Sequence, residues 1–575
     1  MIRVVKLEKP HYGLLSDRFS PALRAACNAV PGMRWEGGPW RGYPDAISSV
    51  LRILKKQGVL FDKSALPKPG DYGEPLMPVA DSQLRDYQKV GVRFLLNQGP
   101  TGALLADGMG VGKSAQAMTA ARALREKTLV VCPSYVRGVW AHLDASREKH
   151  NKGQIQRWWP AARNVCTPEG VNPFTPLRRA TKAELTEGRK PLHHKMVDGR
   201  FPSVLENADV VVIHYDIVYA WVEVLLQWGY RTLILDEAHL ALQSAKSRRG
   251  AAVALLARHA SAKFALTGTP PVERPRDLWN LIDTISPGRM GHFFNYGLTF
   301  CAGQKVEVTK DKIVWQFDGK SNLKTLSRRL RYFMLRRTVQ DVRLELPPMT
   351  RQIIDVEIPA KKRVMATGSI LKSSKAMREV LNLAADGKLN PSIELIAGHA
   401  QEGHHVIVFT WRRAIASYIA NAMAARDIPA DVIFGGVPGA KRRERIENAK
   451  LQTCHVMACT IDSTSTGIDL SYADVAVFVE LTWEPHELAQ AEARVNRFGQ
   501  ERPTLIQYVI ARGTGDELVL DAVIHKLDTF EAVIGTTGDG LRRELEGNDK
   551  GGGLEALAKR LEEMEREQGK KKCRT

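Results

Sequence analysis

Two series of short β-branched runs, each run followed by a helical pattern, constrain this chain more than any other feature. The first series falls near residues 104–106, 128–133, 210–215, 232–236 and 263–267, and the second near 406–410, 431–434, 456–460, 475–480 and 505–511. Strands that alternate with helices form parallel sheets covered by those helices. Each series therefore predicts one α/β lobe. Between them lies a basic stretch, RRLRYFMLRRTVQDVRLELPP (328–348), read as the segment that joins the lobes.

At 575 residues the chain exceeds what one ordinary core organises, so several domains are expected. Residues 1–75 are read as a small N-terminal module, 76–290 as the first lobe and 291–350 as a connecting segment; 351–535 form the second lobe, and 536–575 an amphipathic helix (LEALAKRLEEMEREQ, 554–568) with a basic tail. Residues 141–208 are less regular and polar, and are read as an insertion into the first lobe. Apolar residues at 44% and charged residues at 25% argue against a largely disordered chain. The excess of 83 Lys and Arg over 63 Asp and Glu gives a net charge of +20, which suits a polyanionic partner such as nucleic acid.

The seven cysteines (Cys27, Cys132, Cys166, Cys301, Cys454, Cys459, Cys573) are scattered and never form a CxxC pair, which indicates neither a disulfide framework nor a zinc knuckle. No apolar run reaches membrane-spanning length, and MIRVVKLEKPHYG lacks a signal-peptide core. A protein of the bacterial or virus-infected cytoplasm, or of the nucleus in a eukaryote, without a membrane partner is expected.

The segment LLADGMGVGKS (104–114) ends a strand and precedes a good helix former, AQAMTAARAL. Gly108, Gly110 and Gly112 allow backbone N–H groups to approach phosphate oxygens, and the following helix turns its positive end toward them. In this reading Asp107, Gly108, Met109, Gly110, Val111, Gly112, Lys113 and Ser114 line the phosphates; Lys113 neutralises the outer ones and Ser114 ligates Mg²⁺. Asp107 breaks the strict GxxxxGK[ST] pattern by standing at its first position. TLILDEAH (232–239) is a second strand, ending in two carboxylates at the edge of a sheet where ligands bind. Asp236 is read as the Mg²⁺ holder and Glu237 as the group that polarises the attacking water. ATP and Mg²⁺ are the implied cofactors.

With DEAH in place, the surrounding residues resemble the Swi/Snf-type branch of helicase superfamily two. QLRDYQKVGVRFL (83–95), LVVCPSYVRGVW (129–140) and LTGTPPVERPRDLWNLI (266–282) match its first-lobe motifs. GGVPGAKRRERIENA (435–449), STSTGIDLSYADVAVFVELTWEP (463–485) and QAEARVNRFGQERPTLIQYVIARGTGDE (490–517) match those of its second lobe, in order. The resemblance implies two RecA-like lobes and an ATPase driven by duplex or forked DNA without sequence preference, acting as a single chain to remodel or anneal DNA. A strand-separating helicase and a nucleic-acid-binding scaffold with a vestigial ATPase are the competing readings.

The same resemblance assigns adenine contacts to Arg85 and Gln88, and further nucleotide contacts to Gly467, Asp469 and Gln490. It places DNA-tracking contacts at Ser134, Thr410, Thr464, Ser465, Gly467 and Trp483, and coupling residues at His239, Thr267 and Thr269. Arg494 and Arg497, three apart, would share a helix face and supply positive charge to the phosphates when the lobes close. Two residues depart from the family's usual pattern, Asp469 in GIDL and Glu484 in WEP. CNAVPGMRWEGGPWRGYP (27–44) resembles a HARP-like module, in which Trp35 and Trp40 either stack on exposed bases or form a small core.

Overall fold

The computed structural model describes residues 2–7, 11–16, 20–35, 39–68, 83–141, 153–162, 203–242, 247–272, 275–309, 312–338, 341–342, 346–359, 374–452, 454–464, 468–497 and 499–534. The expected C-terminal helix and tail, Ser465 and Gly467, and Cys166 and Cys573 lie outside these residues. The chain forms two compact units, the first reaching Thr338 and the second starting at Val339. No described helix is long and apolar enough to cross a membrane.

The first unit opens with a mixed sheet built from β1 (Ile2–Lys6), β2 (Tyr12–Ser16), β3 (Arg34–Trp35), β4 (Trp40–Gly42) and β5 (Phe61–Asp62), ordered β3-β4-β2-β1-β5. Two helices, α1 (Pro21–Asn28) and α2 (Pro44–Lys56), cover it, and Val4, Leu14, Leu23, Ile47, Val50 and Leu54 meet in its core. The two tryptophans differ in their surroundings. Trp40 packs against this core, while Trp35 is 58% exposed.

The lobe that follows is a six-stranded parallel sheet in the order β13-β6-β10-β9-β7-β8. Its strands are β6 (Ala103–Leu105), β7 (Thr128–Cys132), β8 (Val210–His214), β9 (Thr232–Leu235), β10 (Ala262–Leu266) and β13 (Met334–Leu335). Strands β6, β7 and β9 are buried along their whole length, as a parallel strand covered on both faces must be. A hairpin, β11 (Gln304–Thr309) with β12 (Lys312–Gln316), stands apart from the sheet.

Two expectations are corrected here. The stretch 328–348 does not simply join the lobes: its first part supplies β13, an edge strand parallel to β6, because Phe333 and Leu335 hydrogen-bond through their carbonyls to Leu104 and Ala106. The region 141–208 is not wholly an insertion either. Within it, the helix Gln154–Trp158 buries Ile155 and Trp158 in the lobe's core, and Arg122 donates to the Trp158 carbonyl at 2.9 Å.

One ion cluster fixes the N-terminal module on this lobe. Asp45, at the start of α2, accepts from Arg289 Nε at 3.1 Å and from Arg329 Nε and Nη2 at 2.8 and 2.6 Å, and all three side chains are buried. Removing one partner from such a buried set leaves an uncompensated charge and costs about 3–5 kcal/mol.

The second unit repeats the design. Strands β14 (Met349–Val356), β15 (His405–Thr410), β16 (Ala430–Ile433), β17 (His455–Thr460), β18 (Val475–Phe478) and β19 (Thr504–Ala511) form a parallel sheet ordered β14-β19-β18-β15-β17-β16. The expected class, α/β with two parallel-sheet lobes and a small N-terminal module, describes both units.

Candidate functional site

The strand order of the first lobe explains why distant motifs meet. Strands β6, β10 and β9 are neighbours, so the segments that leave their carboxyl ends, ADGMGVGKS, TGTPP and DEAH, emerge side by side. In a parallel sheet this edge is where ligands bind.

Residues 106–112 lead from β6 into α4 (Lys113–Leu124), a helix rich in alanine whose residues from Ala115 to Ala121 are all buried. Gly110 and Gly112 adopt φ of +76° and +83°, a region that other residues enter only with strain. A Cβ on Gly112 would also lie 2.4 Å from Gln88 Nε2. Lys113 Nζ donates to the carbonyls of Asp107 and Gly108 at 2.9 and 3.0 Å, so the ammonium lies within the loop it would share with phosphate oxygens. Burial lowers its pKa, while Glu237, Asp107 and Asp236 act in the opposite direction. Ser114 follows on the first turn of α4 and is half-buried.

Asp236 directly follows β9 and is 7% exposed. Its Oδ2 accepts from Trp140 Nε1 at 2.7 Å, its Oδ1 from the Glu237 amide at 3.1 Å, and its carbonyl from the Tyr215 hydroxyl at 2.8 Å. Burial and the neighbouring Glu237 raise its pKa to about 6, against the pull of the Trp140 hydrogen bond. Glu237 stands at φ +45°, the left-handed region, where a residue with a side chain is held by its surroundings rather than by preference. Glu237 Oε2 is buried without a hydrogen bond and lies 3.5 Å from His239 Nδ1.

His239 Nδ1 also lies 3.0 Å from Thr267 Oγ1, which accepts from the Thr269 amide at 3.1 Å. Burial, then the charge of Lys113, lowers the His239 pKa to about 4, so the ring is neutral near pH 7. Thus the structure brings Lys113, Asp236, Glu237, His239 and Thr267 into one electrostatic and hydrogen-bonded group. Gly268 carries it back to the loop, since a Cβ there would lie 3.0 Å from Met109 Cγ.

Gln88, on α3 (Asp86–Gln98), is buried and joined to the same loop: its Oε1 accepts from the Arg85 amide at 3.0 Å and its Nε2 donates to the Val111 carbonyl at 3.4 Å. Arg85 is exposed at the start of that helix. Ser134, just beyond β7, is exposed at the carboxyl edge of the sheet.

These donors fit a nucleotide with Mg²⁺. The loop offers two glycines at positive φ and a lysine, Asp236 retains acceptor capacity beyond its two hydrogen bonds, and Glu237 Oε2 is held beside them without one.

In the second unit, Thr410 ends β15 and is buried, its hydroxyl donating to the Arg412 carbonyl at 3.2 Å. Thr464 ends the short helix Ile461–Thr464 that follows β17, and Trp483 packs partly buried against the core. Asp469 and Arg497 are partly exposed, with Arg497 Nη1 3.8 Å from Asp469 Oδ1. Gln490 and Arg494 lie on the helix Pro485–Val495, which Arg351 fixes by a two-pronged bond to Glu492 at 2.8 and 2.9 Å.

The expectation that Arg494 and Arg497 share a helix face is corrected. That helix stops at Val495, the Asn496 backbone turns to ψ 88°, and Arg497 lies beyond it.

Sequence reasoning gave no role to several residues that build the site. Trp140 and Tyr215 hold Asp236, and Arg336 donates to the carbonyls of Ala106 and Gly268 at 2.8 and 3.1 Å, joining the phosphate loop to the TGTPP segment. Arg337 reaches Asp107.

Two family profiles match the chain. The profile of the SNF2-related domain matches residues 87–389, more than half of the chain, and that of the helicase conserved C-terminal domain matches 387–499. The SWI/SNF-related matrix-associated actin-dependent regulator of chromatin subfamily A-like protein 1 of Xenopus tropicalis is 28% identical over 465 residues, covering 78% of this chain and 44% of that protein. The DNA annealing helicase and endonuclease ZRANB3 of Bos taurus is 25% identical over 493 residues, covering 81% of this chain and 42% of that protein. This chain therefore spans less than half the length of either relative. A solved Sulfolobus solfataricus SWI2/SNF2 ATPase core in complex with dsDNA is 19% identical and covers 83% of this chain and 99% of that one, at a TM-score of 0.36. The fold assignment rests on the strand orders, and the profile match across the described site places this chain in the SNF2-related family.

Proposed function

We propose that this chain is a DNA-stimulated ATPase that moves along duplex or branched DNA and remodels or anneals it. The observation that carries this reading is the delivery of Lys113, Thr267 and the Asp236–Glu237 pair by three neighbouring strands to one sheet edge. A scaffold without catalysis has no need of a buried, polarised group of this kind.

Lys113 would hold the outer phosphates, with Gly108, Met109, Gly110, Val111 and Gly112 wrapping them through the backbone. Ser114 and Asp236 would hold Mg²⁺, which when bound neutralises the phosphoryl charge. Glu237 orients a water and takes its proton as the water oxygen bonds to the terminal phosphorus and the bond to the bridging oxygen breaks. Neutral His239, joined to Thr267, ties the state of Glu237 to the segment that includes Thr269. Arg85, Gln88, Asp469, Gln490 and Gly467 are proposed to contact the nucleotide, and Arg494 and Arg497 to balance the charge that develops on the phosphates.

The net charge of +20 supports a DNA partner held through phosphates, with Ser134, Thr410, Thr464, Ser465 and Trp483 as proposed contacts. One relative is named a DNA annealing helicase, which supports annealing as the outcome.

The test is ATP hydrolysis by wild type and Lys113→Ala with no DNA, single strands, blunt duplex or a forked junction at equal nucleotide concentration. Strong stimulation by duplex or fork, absent in the variant, is expected. Stimulation by single strands alone would replace this reading with a strand-separating helicase, and no stimulation by any DNA would overturn it.

A further inference from the structure

A carboxylate at the first position of a phosphate-binding loop is electrostatically out of place, because it adds negative charge where a nucleoside triphosphate brings more. Asp107 is fully buried, so water cannot screen it. The structure shows what compensates.

Arg337 Nε and Nη2 donate to Asp107 Oδ1 and Oδ2 at 3.0 and 2.5 Å, a two-pronged pair between side chains 13% and 0% exposed. Nη2 also donates to Gln116 Oε1 at 2.8 Å, and Gln116 returns a bond to Asp107 Oδ2 at 3.3 Å. Nη1 donates to the Tyr87 carbonyl, and the guanidinium carbon lies 5.4 Å from the centre of the Tyr87 ring. One side chain thus touches the residue before Gln88 on α3, the phosphate loop, and α4. Its backbone joins in, since the Gly108 amide donates to the Arg337 carbonyl at 2.7 Å. Gly91 leaves room for the arrangement: a Cβ there would lie 1.7 Å from Gln116 Oε1 and 2.9 Å from Arg337 Nη2.

We propose that Arg337 is a positioning residue for the nucleotide, cancelling the charge of Asp107 and setting the phosphate loop against the segment that faces the base. The inference rests on the nucleotide reading above. Lys113 gives it a route to the phosphates, because its ammonium bonds to the Asp107 carbonyl, so a shift of Asp107 shifts the lysine. An ordinary structural ion pair would change stability and leave nucleotide affinity in the folded protein alone. A positioning pair changes KM, and removing the orphaned charge repairs it.

The experiment measures ATP KM and kcat, the Kd of a fluorescent ATP analogue, and the melting midpoint of the full chain for wild type, Arg337→Gln, Arg337→Lys, Asp107→Asn and the Asp107→Asn/Arg337→Gln pair. Arg337→Gln is expected to raise KM and Kd by about ten- to a hundredfold, because part of the cost of breaking a buried charge pair is passed on to nucleotide binding. Adding Asp107→Asn should recover most of that loss, and Arg337→Lys should fall between, keeping the charge without the fork.

A folded Arg337→Gln protein with wild-type KM and Kd would overturn the proposal, as would failure of Asp107→Asn to improve it. Should Arg337→Gln not fold, an unchanged KM in Arg337→Lys overturns it and a raised one supports it. Absence of nucleotide binding in wild type sinks the nucleotide reading and this inference together; wild-type binding with an unaltered Arg337→Gln sinks this inference alone.

Discussion

At the carboxyl edge of the first lobe's sheet, Asp107 and Thr267 are 0% exposed and Asp236 is 7% exposed, each held by hydrogen bonds from other elements. In the second lobe, on the segments that lead into the amino ends of β18 and β19, the side chains of Asp469 and Arg497 are 53% and 32% exposed, and the contact between them is 3.8 Å long. The two lobes thus treat these particular polar groups in opposite ways. The first keeps them dry and tied together, where an electrostatic contact is strong and a missing partner is costly. The second leaves Asp469 and Arg497 wet, where a surface contact carries little of the fold.

The comparison breaks most visibly at the arginines. Replacing Arg494 and Arg497 together with alanine is expected to lower kcat by about 10³–10⁵-fold, the range for an arginine finger, while the melting midpoint moves by less than about 2 °C. A large melting shift with kcat preserved would show that these side chains support structure instead. Glu237→Gln comes next. Its kcat should fall by about 10²–10⁴-fold as the proton acceptor is lost. Nucleotide affinity should hold, and a parallel loss of affinity would move Glu237 from chemistry to binding.

The smallest effect sharpens the contrast in stability. Thr267→Val keeps the shape of a buried side chain but removes the oxygen shared by His239 and the Thr269 amide, and should cost about 1–3 kcal/mol in denaturant unfolding. Asp469→Ala in the second lobe should stay within about 0.5 kcal/mol of wild type. Equal losses at the two positions would erase the distinction.

What the sequence made legible follows the same division between local and distant causes. Strands β7, β9, β15 and β17 are buried throughout and mostly apolar, and their positions were readable to within a residue or two. Strand β13 has only two residues, too few for any period to show, and β14 alternates half-buried with exposed positions as an edge strand does. Lys113, Asp236 and Glu237 stand in compact motifs whose chemistry is local. Arg337 lies 230 residues from Asp107 along the chain and becomes visible only when β13 is set beside β6. The spacing of Arg494 and Arg497 implied a common face, but spacing alone does not say where a helix ends.

Asp45 lies before the region that the SNF2-related profile covers, which begins at residue 87. Its carboxylate is nonetheless the counter-charge for Arg289 and Arg329, and Arg329 leads within a few residues through Phe333 and β13 to Arg336 and Arg337. A boundary drawn from sequence similarity would cut between charges that the folded protein keeps as neighbours. The small leading sheet and the first lobe are therefore one structural part: putting a different module on this lobe would require replacing the two arginines as well.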